Sequence, residues 1–212
     1  MKLIYIDVET TGIAFPQSGL IQLAGAIEIE GQKPQTFQYH IQTFPDDVIE
    51  EEALAINGIT REEMAGFDNP RKVYRDFINL LEKYVDRYDR ADKFHFIGYN
   101  AIFDSNHLRA WFEKNNDKYF GSWFYFPPID VMGMAALHLM TRRAGMKDFK
   151  LLTVARELGL KVDEEKMHDA RYDVGLTREM FKVLWRGEMT GVFIWGASEG
   201  YSALFSLSLR CR

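Results

Sequence analysis

Residues 2 to 8, KLIYIDV, are an almost unbroken run of aliphatic and aromatic side chains, the pattern of a strand buried on both faces, and the run closes on an acid. Residues 20 to 30, LIQLAGAIEIE, and 36 to 42, TFQYHIQ, are two more predicted strands. The turn Gly31-Gln32-Lys33 joins them as a hairpin. From 43 to 69 the chain is polar and interrupted by Pro45, Gly58 and Gly66, which predicts a connector with short helices around EEALAI and TREEM. Val73, Phe77, Leu80, Leu81, Tyr84, Val85 and Tyr88 recur at the spacing of an amphipathic helix over 71–88. A strand at 94–99 (FHFIGY) and a helix at 102–114, with Leu108, Trp111 and Phe112 inward, follow. An aromatic loop then leads to a short strand at 129–131 and to helices near 132–144, 149–159 and 169–186. The order βββαβαβαα predicts an α/β protein: a mixed β-sheet of about five strands, the first three antiparallel, flanked by helices.

Composition narrows the setting. A chain of 212 residues, 47% apolar and 27% charged, is long enough to live on its own core. Its net charge of -5 excludes the broad positive surface of a protein that coats nucleic acid, though not a local phosphate site. Cys211 is the single cysteine, so neither an internal disulfide nor a cysteine zinc site is expected. The apolar run before Asp7 is too short for a signal-peptide core, and Pro16, Gln17, Ser18 and Gln22 spoil the stretch from Thr10 to Ile27 as a membrane span. A soluble, cytoplasmic protein is expected. From Gly191 the character changes, with Gly, Ser and aromatics among aliphatics and little charge. The division expected is a main domain over 1–188 and an appendage over 189–212, either a hairpin or a partner-binding edge.

The acids carry the chemistry. Asp7 and Glu9 stand two apart at the end of the first strand, so both side chains share one face, about 7 Å apart along the backbone. Such a pair can share a cation; equally, Asp7 can end the strand and Glu9 cap the turn. Thr10, Thr11 and Gly12 follow, small hydroxyls and a permissive backbone where a phosphate or sugar can approach. Asp104 falls in the first turn of the helix after FHFIGYNA, where helix-dipole complementarity alone would suit an acid. Asp173 shares the apolar stripe of Leu176, Thr177, Met180 and Leu184, an arrangement that asks for a partner. His168, five residues earlier, reaches the same place only from at or before the helix start; a surface histidine is the plainer alternative. Three separate elements thus deliver acid at an element end or on an apolar face. Carboxylates around two divalent ions are the established apparatus for in-line displacement at phosphorus.

Three segments in order, DVETTG (Asp7 to Gly12), IGYNAIFD (Ile97 to Asp104) and HDARYD (His168 to Asp173), resemble the motifs of the DEDDh, or DnaQ-like, 3′-to-5′ exonucleases. That family includes the proofreading subunit of bacterial DNA polymerase III. IQLAGAIEI, EALAINGIT and IDVM look like its second strand, its connector and its later strand. Asn57 and Tyr99 depart from it, standing where histidine is common. The resemblance implies a ribonuclease H-like fold, with Asp7, Glu9, Asp104 and Asp173 holding two Mg²⁺ or Mn²⁺ ions and His168 as general base. Thr10, Thr11, Gly12, Asn100 and Phe103 would contact the terminal nucleotide. It implies release of 5′-mononucleotides from single-stranded DNA or RNA 3′ ends, DNA favoured, with a polymerase subunit as a prospective partner. An oligoribonuclease-like enzyme and a non-catalytic adaptor of the same fold are the alternatives. Arg142, Arg143, Lys147 and Lys150 form the most basic short run; it either guides a single strand or is a solvated helix end.

Overall fold

A computed structural model describes residues 1–163 and 170–186. Five strands form one sheet: β1 (Lys2–Thr10), β2 (Leu20–Ile29), β3 (Gln35–His40), β4 (His95–Gly98) and β5 (Ile129–Asp130), in the order β3-β2-β1-β4-β5. β1 runs antiparallel to β2, and β2 to β3, whereas β4 lies parallel to both β1 and β5. This is the mixed sheet that the pattern predicts. Its helices are α1 (Glu51–Asn57), α2 (Arg61–Ala65), α3 (Pro70–Leu81), α4 (Ala101–Lys114), α5 (Val131–His138), α6 (Leu151–Glu157) and α7 (Ala170–Arg186).

The alternation of β1 divides the core in two. Ile4, Ile6 and Val8 face a cluster with Val73 and Phe77 of α3 and Leu108, Trp111 and Phe112 of α4. Leu3 and Tyr5 face the other layer, where Val131 of α5, Val154 of α6 and Val174, Met180 and Phe181 of α7 pack. Arg178 pins α7 to β2 through Glu28, at 2.5 Å. At β2 the sheet and the first layer meet so closely that only glycine fits: a Cβ on Gly25 would stand 2.3 Å from Phe37 Cζ and 2.5 Å from the Tyr5 carbonyl oxygen.

Two boundaries differ from the periodicity. α3 ends at Leu81 rather than running to 88, although Val85 remains buried and Tyr84 still packs on the core, while Tyr88 is exposed. Asp86, Asp89 and Asp92 supply the reason: their side chains accept from Tyr88 N, Ala91 N and Asp86 N, local bonds that compete with the helical ladder. α5 likewise stops at His138, and turns with a short 3-10 segment at Arg143–Gly145 replace its expected last turn. The expected appendage over 189–212 lies outside the described residues, as does His168. Among the described residues no helix is long and apolar enough to cross a membrane.

Gly25→Ala should cost about 1–3 kcal/mol or more through overpacking against rigid neighbours. Gly121→Ala, with open space at its Cβ, is the matched control. Urea denaturation of both variants checks this; equal midpoints would remove the steric argument.

Candidate active site

The odd-numbered face of β1 begins apolar and ends acidic: Leu3 and Tyr5 are core, and Asp7 and Glu9 continue the same row beyond it. Opposite them on β2 stand Ala24 and Gln22. Because α7 covers this face, Asp173 in its first turn comes over the end of the row. Asp104 arrives from α4, and its Oδ1 accepts the Val8 amide at 3.1 Å, which ties the second acidic segment to the backbone between Asp7 and Glu9. Gly98 makes room for it; a Cβ there would lie 3.2 Å from Asp104 Oδ2.

The four carboxylates sense one another. Burial, then the charges of Asp104, Glu9 and Asp173, holds the Asp7 carboxyl well above the usual range. Burial and Asp173 push Glu9 up to about 7. Burial raises Asp104 to about 8, with Glu9 and Asp130 adding to it and the Val8 amide opposing. Such groups are costly to ionise together, and a cation or proton is what relieves them. Four hard oxygen donors suit Mg²⁺ or Mn²⁺ rather than a soft metal. Among the described residues, no three acidic, imidazole or thiol groups are drawn close enough together to hold a metal ion as they stand. The fit therefore rests on donor chemistry and mutual charge.

The other expected contact residues divide. Thr10 and Thr11 are buried with their hydroxyls committed: Thr10 Oγ1 donates to Gly12 O at 2.7 Å, and Thr11 Oγ1 donates to Val48 O at 2.5 Å while accepting from Gly19 N at 2.7 Å. They shape the loop rather than present hydroxyls. Gly12 packs so tightly that a Cβ would lie 2.6 Å from Glu50 Oε1. Asn100 is exposed, with φ 65° and ψ 45° at the N-terminus of α4. Phe103 is half-buried, its ring 4.2 Å from that of His107.

Asp130 does not stand out in the sequence, yet it joins the parts. Its Oδ1 accepts from Asn100 N at 2.9 Å, Ala101 N at 3.4 Å and Met132 N at 3.1 Å, so it caps α5 and fixes the start of α4 with one oxygen. An aspartate immediately before a helix is the available signal. His107 is equally inconspicuous; it is buried beside Phe103 and Phe15, and burial lowers its pKa. Asn57 donates to Thr10 O at 2.9 Å, and Tyr99 donates through its hydroxyl to Phe149 O at 2.6 Å. The first of these departures from the family pattern braces the backbone beside Glu9, and the second ties the end of β4 to the segment before α6.

The chain is similar to known proteins in both sequence and fold. The sequence profile of the exonuclease family RNase_T matches residues 4–181. Ribonuclease T of Shewanella sp. (strain W3-18-1) is 25% identical over 186 residues, covering 84% of this chain and 78% of that protein. Ribonuclease T of Baumannia cicadellinicola subsp. Homalodisca coagulata is 26% identical over 190 residues, with 84% and 80% covered. Among solved structures, E. coli Exonuclease I in complex with a dT13 oligonucleotide superposes with a TM-score of 0.68 at 18% identity, covering 89% of this chain. The chain spans 41% of the length of that Exonuclease I chain, and the likeness is one of fold.

The raised carboxyls set a sign for pH. Groups whose folded pKa exceeds the unfolded value hold extra protons in the folded state, so stability is lost as pH rises across that window. In chelator, the thermal midpoint should fall between about pH 4 and about pH 8, the span covered by Glu9 and Asp104. Glu9→Gln or Asp104→Asn should flatten the decline, and added Mn²⁺ should flatten it in the parent. A midpoint that climbs through this range would contradict the mutual repulsion.

Proposed function

The chain belongs to the exonuclease family, in its DnaQ-like DEDD group of 3′-to-5′ exonucleases, and from that premise we propose that it removes 5′-mononucleotides from single-stranded 3′ ends at the Asp7–Glu9–Asp104–Asp173 cluster. One observation supports this most: acids from β1, α4 and α7, more than 160 residues apart in sequence at the extremes, come close enough that Asp104, Glu9 and Asp173 all add to the effect of burial in raising the Asp7 carboxyl.

Family membership implies dependence on a divalent metal. Asp7, Glu9, Asp104 and Asp173 would hold Mg²⁺ or Mn²⁺, and the ions, when bound, supply a lowered water pKa and stabilisation of the departing 3′ oxygen. The protein's own share is positioning. The odd face of β1 orients Asp7 and Glu9, the Val8 amide fixes Asp104, and α7 brings Asp173. His168, assigned from the motif HDARYD, takes the proton of the attacking water on its imidazole. Exposed Asn100 and half-buried Phe103 at the head of α4 border the place of the terminal nucleotide. At Thr10 and Thr11 the backbone, not the hydroxyls, is what a sugar or phosphate would meet.

RNA is a second reading of the substrate. It is favoured by relatives named Ribonuclease T, which match over most of both chains. The expectation of a DNA preference rests on the motif resemblance, as does that of a polymerase partner. A non-catalytic adaptor is disfavoured, because an intact set of repelling acids has no use in a scaffold.

Asp7→Ala should abolish Mg²⁺- or Mn²⁺-dependent release of mononucleotides from a 3′-labelled single strand; retained activity would move the chemistry elsewhere. His168→Ala should lower the rate by about 10²–10⁴, the usual worth of a general base, with metal binding kept. Loss of metal binding would make that histidine a ligand instead. Parallel rates on 3′-labelled DNA and RNA of one sequence decide the substrate; an RNA-to-DNA ratio above one favours the ribonuclease reading and a ratio below one the DNA reading.

A further inference from the structure

The segment between α5 and α6 is chemically unlike its surroundings. Arg143, Lys147 and Lys150 are exposed, and among the described residues they make no ion pair. Arg142, the fourth cation of the run, is spoken for: it bonds the Glu157 carbonyl at 3.1 Å and faces the Glu157 carboxylate at 3.5 Å, clamping the segment to the end of α6. Asp148 is the acid between the lysines. It is occupied by the Lys150 amide, at 3.1 Å, and by the Thr153 side chain, which with the neighbouring cations hold its pKa down. Three cations against one carboxylate leave a surplus of positive charge on a protein that is acidic overall.

This charge is also held in place. Tyr99, the residue after β4, donates to the carbonyl of Phe149, and the guanidinium of Arg143 lies 3.8 Å from the centre of the Phe149 ring. A stacked guanidinium keeps its N–H groups available for phosphate while losing little freedom on binding. Tyr99 is followed by Asn100, whose amide donates to Asp130 Oδ1 at 2.9 Å, and the next residue opens α4, which carries Asp104 in its first turn. The basic segment is therefore tied through Phe149 and Tyr99 to the start of the helix that carries Asp104.

We infer that Arg143, Lys147 and Lys150 form a phosphate-tracking rail for the part of a single strand that lies upstream of the scissile bond, with Tyr99 and Phe149 as its anchor. The inference rests on the nuclease reading for the choice of nucleic acid as occupant. The charge complementarity and the tether to the acidic site argue for that occupant over a protein. The acids engage only the 3′ terminus, so a long strand must lie on some other surface, and a net-negative molecule offers few that attract it.

Counting charges tests this with the full chain. Anisotropy of a labelled 20-nucleotide single strand in EDTA, titrated at several salt concentrations, gives a slope that changes by about 0.7 for each phosphate the protein ceases to neutralise. Lys147→Ala/Lys150→Ala should reduce the slope by about 1.4 and weaken binding at low salt. Lys147→Arg/Lys150→Arg should keep both. Hydrolysis of a dinucleotide with Mn²⁺ should stay at the parental rate in either variant, because a dinucleotide has no phosphodiester upstream of the scissile one. An unchanged slope in the alanine variant would overturn the inference and return the segment to a solvated surface or to an acidic protein partner. An equal loss on dinucleotide and 20-mer would overturn it in favour of a structural role. Salt-dependent binding by a parent that hydrolyses neither length would sink the nuclease reading while leaving the rail standing.

Discussion

The gathering of one buried and three half-buried carboxylates is the constraint around which this molecule is organised. Burial raises the pKa of Asp7, Glu9 and Asp104, and the charges of their neighbours, Asp173 among them, raise it further. Only a rigid frame keeps such groups close, and the frame here is the central strand β1, bonded to β2 on one side and β4 on the other. The same alternation that sends Leu3 and Tyr5 into the core sends Asp7 and Glu9 to its edge. Packing energy from two apolar layers thus holds a charge arrangement that local interactions would disperse.

The cluster also explains the backbone detail around it. Gly98 admits Asp104, Gly12 lies against Glu50, and the buried threonines at 10 and 11 close the loop after β1 with their own hydroxyls. Asp130 uses one oxygen to cap α5 and to fix the entry of α4. These are interactions of short polar groups with main chain, which set geometry at the site without adding to its charge, save for Asp130 itself.

Much of the fold is legible in the sequence because its strands are apolar runs with clear ends and its longest helices have a full stripe. The sheet and the helices α4 and α7 stand close to where periodicity puts them. The overextension of α3 to 88 arises because Tyr84 and Val85 do pack on the core; periodicity registers burial, whereas the aspartates at 86, 89 and 92 decide the backbone. Among site residues, the acids are legible from position, since an acid on an apolar face is conspicuous. Asp130 and His107 are not, because an aspartate before a helix and a histidine among aromatics look like ordinary capping and packing. The inward commitment of the Thr11 hydroxyl depends on the contact with Val48 and the turn at Gly19, which no local pattern encodes.

The pairing of Leu3 with His95 places two distant stretches side by side at the heart of the sheet, and α7 must still arrive before Asp173 joins its partners. Contacts of such separation form late, after the entropy of closing a long loop has been overcome. During synthesis the first pair of acids emerges from the ribosome well ahead of the last. The set of acids is accordingly complete only when the chain has been made through α7 and that helix has docked on the sheet.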